Sequence, residues 1–377
     1  MIEWSPEKIK GFQKVLLNWY DQNKRDLPWR VDHDPYHVWI SEIMLQQTQV
    51  QTVIPYYQRF MKLFPTVGQL AQADESVLLK AWEGLGYYSR ARHLQTAARQ
   101  IVTDYGGQWP QTIDGLKSLS GVGPYTAGAI ASIAFNQPVP AVDGNAFRVF
   151  SRLFKIDADI AKPQTRQLFE KVIQNVISRD RPGDFNQAIM DLGASYMSAK
   201  NPDTVHSPVK QFDQAYLDGE EDKYPVKSKK KRPVRVNYFG LIIHSSKGFL
   251  FEQRPSDGIL SHFLMFPLIK ADELDSQKRS VQKISSDEII DTIFQNWVST
   301  YQLQLINLAF VDSQKVSHTF THQKWQITLL EATLPSNSDL SYFPGKWVPQ
   351  DQFSTIAFSK VQSKMWAAYQ QKIPETN

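Results

Sequence analysis

Leu119-Ser120-Gly121-Val122-Gly123-Pro124-Tyr125-Thr126-Ala127 stands between two stretches of helical periodicity. Two glycines two positions apart let the backbone turn tightly with nothing projecting from it. The helix that follows opens toward the loop with free amide groups, which can hold a phosphate without a charged side chain. The same spacing also marks an ordinary helix–helix turn, so these residues alone leave DNA-backbone binding and plain connection both open.

Outward from this hairpin the N-terminal half reads as helix after helix. Ser5 and Pro6 form an N-cap and first helical position, with Ile9, Phe12, Leu16 and Trp19 on one face. Val38–Phe60 is predicted helical with an interruption at Pro55. Further helices are predicted over 87–104, 125–134, 145–154, 164–179 and 184–197, with breaks such as Gly84-Leu85-Gly86 between them. Past Leu217 the composition changes. Asp218–Arg235 is poor in apolar residues and carries Lys227, Lys229, Lys230, Lys231 and Arg232, a solvated tether or a phosphate contact. Strand patterns follow at Val234–Ile243, Phe249–Gln253, 304–311, 315–320 and 325–331, with a helix over Asp287–Thr300. The expected architecture is an α-helical domain over 1–217, a basic linker over 218–233 and a smaller α+β domain over 234–370.

Composition narrows the chemistry. The 377 residues include no cysteine, which excludes disulfides, a thiolate nucleophile and cysteine-ligated zinc or iron–sulfur clusters. Lys and Arg number 42 against 38 Asp and Glu. A net charge of +4 spread over this length does not by itself mark a nucleic-acid binder. No apolar run is long enough to span a membrane, and the polar start MIEWSPEKIK lacks the apolar centre of a signal peptide, so a soluble, cytoplasmic protein is expected.

Downstream of the hairpin, Val142-Asp143-Gly144-Asn145 opens another helix. Asp at a helix start is usually an N-cap. Here it follows the apolar run Pro138–Val142, so its carboxylate can be partly buried and act electrostatically at the mouth of a cleft. Upstream, Glu42 is a lone carboxylate among Trp39, Ile40, Ile43, Met44 and Leu45. Desolvation there would raise its pKa and keep it protonated near neutrality, as a general acid requires. A solvent-facing Glu on an amphipathic helix is the plainer reading.

Taken together, the hairpin, Val142-Asp143-Gly144-Asn145, Trp39–Val50 with its Gln46-Gln47-Thr48 run, Pro28-Trp29-Arg30, Gly84–Arg92 and Phe185–Gly193 resemble the helix–hairpin–helix glycosylase superfamily. Within it they are most similar to the adenine DNA glycosylase (MutY) family. The resemblance implies a base-excision enzyme without a lyase step that hydrolyses the N-glycosidic bond of adenine opposite 8-oxoguanine or guanine in duplex DNA, as a monomer. It maps Glu42 to the general acid and Asp143 to the carboxylate beside the cationic sugar, with Asn145 and Tyr125 next to it. Trp29, Arg30, Leu45, Gln187 and Met190 map to the adenine pocket, although many relatives have Glu where Gln187 stands. Gln47 and Tyr87 would wedge into the duplex, Thr48 and Leu85 would lie beside 8-oxoguanine, and Gly121 and Gly123 would meet the backbone. Endonuclease III-like enzymes carry a Schiff-base lysine at the position of Tyr125, and a phenol forms no imine.

The chain departs from the family in one place. Most relatives end the helical domain with four cluster-binding cysteines. At that spacing this chain has Met197, Thr204, Ser207 and Asp213. It therefore resembles the clusterless branch, and no cofactor is expected beyond room for a monovalent cation at the hairpin. Packing among Tyr196, Val205, Val209, Phe212 and Tyr216 is expected to hold the loop instead.

The C-terminal half resembles the family's MutT-like (Nudix-like) domain through Arg254–Leu260 and Met265-Phe266-Pro267. Residues 268–300 lack the Arg-Glu-x-x-Glu-Glu run that holds magnesium in a hydrolysing Nudix enzyme, so a reader is expected rather than a second enzyme. Phe320-Thr321-His322 stands where relatives carry a Phe-Ser-His loop on 8-oxoguanine, or is a hairpin turn with incidental polar side chains. Three alternatives stay open: a glycosylase for another mismatched or oxidised base, a catalytically silent DNA-binding scaffold, and a nucleotide pyrophosphatase.

Overall fold

The computed structural model describes residues 4–229, 232–274, 285–312 and 315–371. Lys230 and Lys231 of the basic stretch, and part of 268–300, lie outside them. The chain divides into two compact units that do not follow its linear order: Met1–Asp74 with Ser89–Lys230, and Glu75–Tyr88 with Lys231–Asn377.

In chain order the helices of the first unit are α1 (Pro6–Asn23), α2 (Pro35–Leu45), α3 (Val50–Leu63) and α4 (Val67–Gln72). After α5 (Glu75–Ala81), which belongs to the second unit, come α6 (Ser89–Asp104), α7 (Ile113–Ser118), α8 (Pro124–Phe135), α9 (Gly144–Phe154), α10 (Thr165–Val176), α11 (Pro182–Ser195) and α12 (Gln214–Leu217). One apolar core joins α1, α9, α10 and α11 through Phe12, Leu16, Phe150, Phe169 and Phe185. The Ser5 hydroxyl accepts from the Lys8 amide at 3.3 Å and caps α1 as its sequence promises.

The predicted break at Pro55 is not there. α3 runs through that proline, because Pro55 and Gln51, one turn before it, both lie on the exposed side of the helix. The interruption falls earlier, at 46–49, where Gln47 takes a left-handed φ of 62°. The Arg90 guanidinium supports it there. It donates to the carbonyls of Ile43 (2.6 Å), Met44 (3.3 Å) and Gln46 (2.8 Å), which the end of α2 would otherwise leave unpaired. Two further expectations shift. The helix predicted from 87 starts at Ser89, since Gly84, Gly86 and Tyr87 all take positive φ. The stretch expected to be a solvated tether or a phosphate contact is tied to the first unit in its early part: the Ile160 amide donates to the Val226 carbonyl at 3.0 Å, the Ser228 amide to Asp159 at 3.0 Å, and Lys155 pairs with Asp218 and Glu220.

The second unit is a mixed sheet of β1 (Val234–Ser245), β2 (Gly248–Gln253), β3 (Leu264–Met265), β4 (Leu268–Lys270), β5 (Ile306–Phe310), β6 (Val316–Thr319), β7 (Gln323–Thr333) and β8 (Gly345–Val348). β1 and β7 pair in parallel from Val234–Gln323 to His244–Thr333. Alternation along β1 sends Ile242 to one face and Leu241 and Ile243 to the other. α14 (Lys360–Gln370) covers the first face with Val361, Met365 and Tyr369; α13 (Ser286–Tyr301) covers the second with Ile289, Ile293 and Trp297. α5 and the loop after it join this unit by specific bonds. Lys80 donates to the Ile356 carbonyl at 3.1 Å, Glu83 accepts from the Phe358 amide at 2.7 Å, and the Tyr88 hydroxyl donates to the Phe358 carbonyl at 3.2 Å.

Candidate active site

A cavity of about 610 Å3 opens among the helices of the first unit, inside the range of ligand sites. α2, α8, α9 and α11 each bring chemistry to it. Asp34 caps α2 by accepting from the Tyr36 amide at 2.8 Å, and the helix is buried from Val38 to Met44. So large an apolar surface leaves Glu42 only 6 % exposed. Burial pushes its carboxyl up to about 7; the Tyr125 hydrogen bond opposes this, nearby Asp143 adds to it, and Arg30 opposes it.

Tyr125 reaches Glu42 because the hairpin ends where it does. Gly121 turns with φ 73°, and a β-carbon there would sit 2.6 Å from the His93 side chain. Gly123 then caps α8, Pro124 takes its first turn, and the Tyr125 hydroxyl donates a hydrogen bond to Glu42 Oε2. Burial holds the phenol well above its ordinary pKa, so it remains a donor.

Asp143 is the N-cap of α9, the role its position suggested. Its Oδ1 accepts from the Ala146 amide at 2.7 Å and its Oδ2 from Asn145 Nδ2 at 2.6 Å. Burial raises this carboxyl also, and the Ala146 amide, Asn145 and Arg148 offset only part of that rise. Glu42 has one donor where Asp143 has two and a guanidinium nearby, so of the two Asp143 is built to carry charge. Asn145 is held in turn by Arg148, whose Nη2 donates to Asn145 Oδ1 and, at 2.9 Å, to the Gly193 carbonyl. Gly193 admits this approach, since a β-carbon there would lie 2.6 Å from Asn145 Cβ.

Trp29, Arg30, Leu45, Gln47, Thr48, Gln187 and Met190 line the same cavity. Trp29 is fixed edge-on to Tyr57 with ring centroids 5.4 Å apart. The Arg30 guanidinium is already engaged: it donates to both oxygens of buried Asp191, at 2.7 and 3.1 Å, and Arg25 donates to the same carboxylate at 2.7 Å. Sequence reading missed Arg25, Asp191, Arg148 and Arg166. Arg25 lies three residues before the quoted Pro28-Trp29-Arg30, Asp191 lies inside the quoted Phe185–Gly193, and Arg148 follows Gly144 at one helical turn. Arg166 lines the cavity, donates to the Val142 carbonyl at 2.5 Å and sits 5.6 Å from the Phe147 ring centroid. It carried no signal. A second cavity, of about 630 Å3, is bordered by Lys117, Pro140 and Glu170 and holds none of the residues read as catalytic.

The remaining candidates lie in the second unit. Phe320-Thr321-His322 is the turn between β6 and β7, closed by the Phe320 amide donating to the Gln323 carbonyl at 2.7 Å. Phe320 packs on Trp325, and Thr321 and His322 are exposed. Leu85 and Tyr87 fold with this unit, and the Tyr87 and Thr321 hydroxyls share a hydrogen bond of 3.1 Å.

Comparison with known proteins gives the family. Residues 40–175 match the HhH-GPD superfamily of base excision DNA repair proteins, and residues 238–368 match the NUDIX domain. The adenine DNA glycosylase of Rattus norvegicus is 34 % identical over 96 % of this chain and 78 % of its own length. The chain belongs to the adenine DNA glycosylase family. The Schizosaccharomyces pombe adenine DNA glycosylase is 31 % identical over 96 % of this chain and 90 % of its own. Among solved structures, a thermostable thymine-DNA glycosylase superposes with a TM-score of 0.52 at 26 % identity, covering 56 % of this chain and 98 % of that one.

The end of the helical unit offers no cysteine to a cofactor. Met197, Thr204, Ser207 and Asp213, at the spacing where the resemblance leads one to expect cluster-binding cysteines, are all buried. Ser207 Oγ accepts from the Val209 amide, Thr204 bonds Glu221, and Asp213 Oδ1 accepts from the Tyr216 amide at 3.1 Å. A thioether, two hydroxyls and one carboxylate do not fit an iron–sulfur cluster. Among the described residues no group of three or more His, Cys, Asp or Glu could hold a metal. Of the residues expected to pack this loop, Val209 and Phe212 are buried and Val205 is 53 % exposed, because it lies on the outer side of a single 3-10 turn, Thr204–His206.

Proposed function

We propose that the cavity removes adenine from duplex DNA opposite 8-oxoguanine, or opposite guanine, and leaves an abasic site on an intact strand. The observation that carries this is the pairing around one cavity of Glu42, which burial keeps protonated up to about 7, with Asp143, whose carboxyl burial also raises but against two hydrogen-bond donors and a guanidinium that favour its charged form. Adenine leaves poorly as an anion, so Glu42 delivers its proton to a ring nitrogen while the C1′–N9 bond breaks and its electron pair stays on the base. The Asp143 carboxylate faces the oxocarbenium-like sugar and stabilises it. Water then bonds C1′ and returns a proton to Glu42. Tyr125 orients Glu42 by its hydrogen bond and offers no amine for an imine, so no lyase step follows.

The base must leave the stack to reach this cavity. Gln47 and Tyr87 are the proposed wedges, with Thr48 and Leu85 beside the opposite base and Trp29, Arg30, Leu45, Gln187 and Met190 around adenine. Both wedges are non-glycine residues at positive φ, 62° and 48°, a strain that such functional positions retain. The hairpin is the proposed backbone contact: a β-carbon on Gly123 would meet nothing within 4 Å, so its missing side chain serves no neighbour inside the chain. A monovalent cation there would assist the same contact. Exposed Thr321 and His322 are the proposed readers of 8-oxoguanine. The reading takes the enzyme as a monomer acting in the cytoplasm.

The test follows base release from duplexes carrying A opposite 8-oxoguanine, G, C and T, with and without alkali. Free adenine from the first two, and strand breaks only after alkali, is the expected result. Breaks without alkali, or equal release opposite C, would overturn it.

A further inference from the structure

The loop that cannot hold a cluster is organised around Arg152. This residue of α9 is 1 % exposed, and a guanidinium so buried needs partners in fixed places. It has three. Nη1 donates to the Met197 carbonyl at 3.2 Å, Nη2 to the Ser198 carbonyl at 3.0 Å, and Nε to the Glu221 carbonyl at 3.3 Å. Two of these carbonyls open the segment 197–221 and the third closes it, so one side chain joins both ends of a long loop. Its charge is opposed chiefly by Asp213, 0 % exposed, whose Oδ2 has no hydrogen-bond partner.

The Met197 carbonyl is shared. Arg148 Nε also donates to it, at 2.8 Å, and Arg148 Nη2 holds Asn145, which holds Asp143 Oδ2 at 2.6 Å. We propose that Arg152 is a positioning residue: by gathering three carbonyls it fixes the loop that a cluster cannot fix here, and through Met197 it fixes Arg148, Asn145 and the aim of Asp143. The proposal rests on the role given to Asp143 above. A lysine at 152 keeps the charge but lacks the planar fork that spans three acceptors.

The test compares wild type, Arg152→Lys, Arg148→Lys, the Arg148→Lys/Arg152→Lys double variant and Asp143→Asn, all as full chains. It reads single-turnover adenine release, affinity for a duplex carrying a non-hydrolysable adenosine analogue, and hydrogen exchange over 197–221. Arg152→Lys should lose roughly ten- to hundredfold in rate, the effect of a small misplacement of a reacting group. Its duplex affinity should stay within about twofold of wild type while amides of the segment exchange faster, and the double variant should be little slower than Arg148→Lys, as for residues in one path. A wild-type rate in Arg152→Lys, or losses that multiply in the double variant, overturns the proposal. Full activity in Asp143→Asn overturns the reading beneath it, and is recognisable as that. Should Arg152→Lys fail to fold, Arg152→Met with Asp213→Asn removes the buried pair together and carries the same expected and overturning results.

Discussion

The two units treat their candidate functional residues in opposite ways. In the helical unit Glu42, Asp191, Arg152 and Asp213 are buried, each engaged by named donors or acceptors. In the sheet unit the two faces of β1 and β7 are apolar, and the polar candidates, Thr321 and His322, sit exposed on a turn. The difference is one of chemistry. Shifting a proton affinity or aiming a carboxylate needs low dielectric and fixed partners, whereas reading the edge of a base needs hydrogen-bonding groups that the base can reach. Substitutions in the first unit should therefore alter rate and stability, and those in the second should alter preference.

The largest break expected is Glu42→Gln. An amide keeps the shape and cannot deliver the proton, so single-turnover release should fall by roughly 10²–10⁴-fold with mismatch binding retained. Asp143→Asn should fall by about 10²–10³-fold, because a neutral amide stabilises an oxocarbenium poorly; a rate near wild type would remove Asp143 from the mechanism.

Next comes stability. Glu42 binds its proton more tightly folded, at about 7, than at its ordinary 4.5, so the folded state loses stability as pH rises through that window and none below it. Glu42→Gln should accordingly be more stable than wild type at pH 8, by at most about 3 kcal/mol, with the gain shrinking toward pH 5. Urea midpoints at the two pH values measure it, and a gain that grows on acidification contradicts the buried-acid assignment.

Smallest is the reader pair. Thr321→Ala with His322→Ala should cut the preference for 8-oxoguanine over guanine by roughly ten- to hundredfold, at about 1–3 kcal/mol per contact, and leave release opposite guanine near wild type. Unchanged preference at matched salt places the reader elsewhere.

Periodicity and motif spacing reached much of this molecule. α8, α9 and the strands β1, β2 and β7 lie within a few residues of their predicted positions, because each is bounded by residues with a strong local preference: Pro124, the Asp143 cap, the Ser245–Gly248 turn. Glu42 was legible as a carboxylate in an apolar run. What escaped depends on long-range partners. The break after α2 is supported by Arg90, more than forty residues away in the chain, whereas local sequence offers only Pro55 as a breaker. Residues 75–88 join the sheet unit through Phe358 and Ile356, which no local pattern announces. Nothing in the local sequence marks Arg152, because the carbonyls that hold it, of 197, 198 and 221, lie more than forty residues away in the chain.

The central claim is that burial makes Glu42 the acid, and the pH dependence of single-turnover adenine release tests it most directly. The account predicts a rate that falls above about pH 7 as Glu42 ionises. Because the Tyr125 hydrogen bond favours the ionised form, Tyr125→Phe should move that falling limb to higher pH. A rate that stays level or rises from pH 6 to pH 9 in the wild type would contradict it.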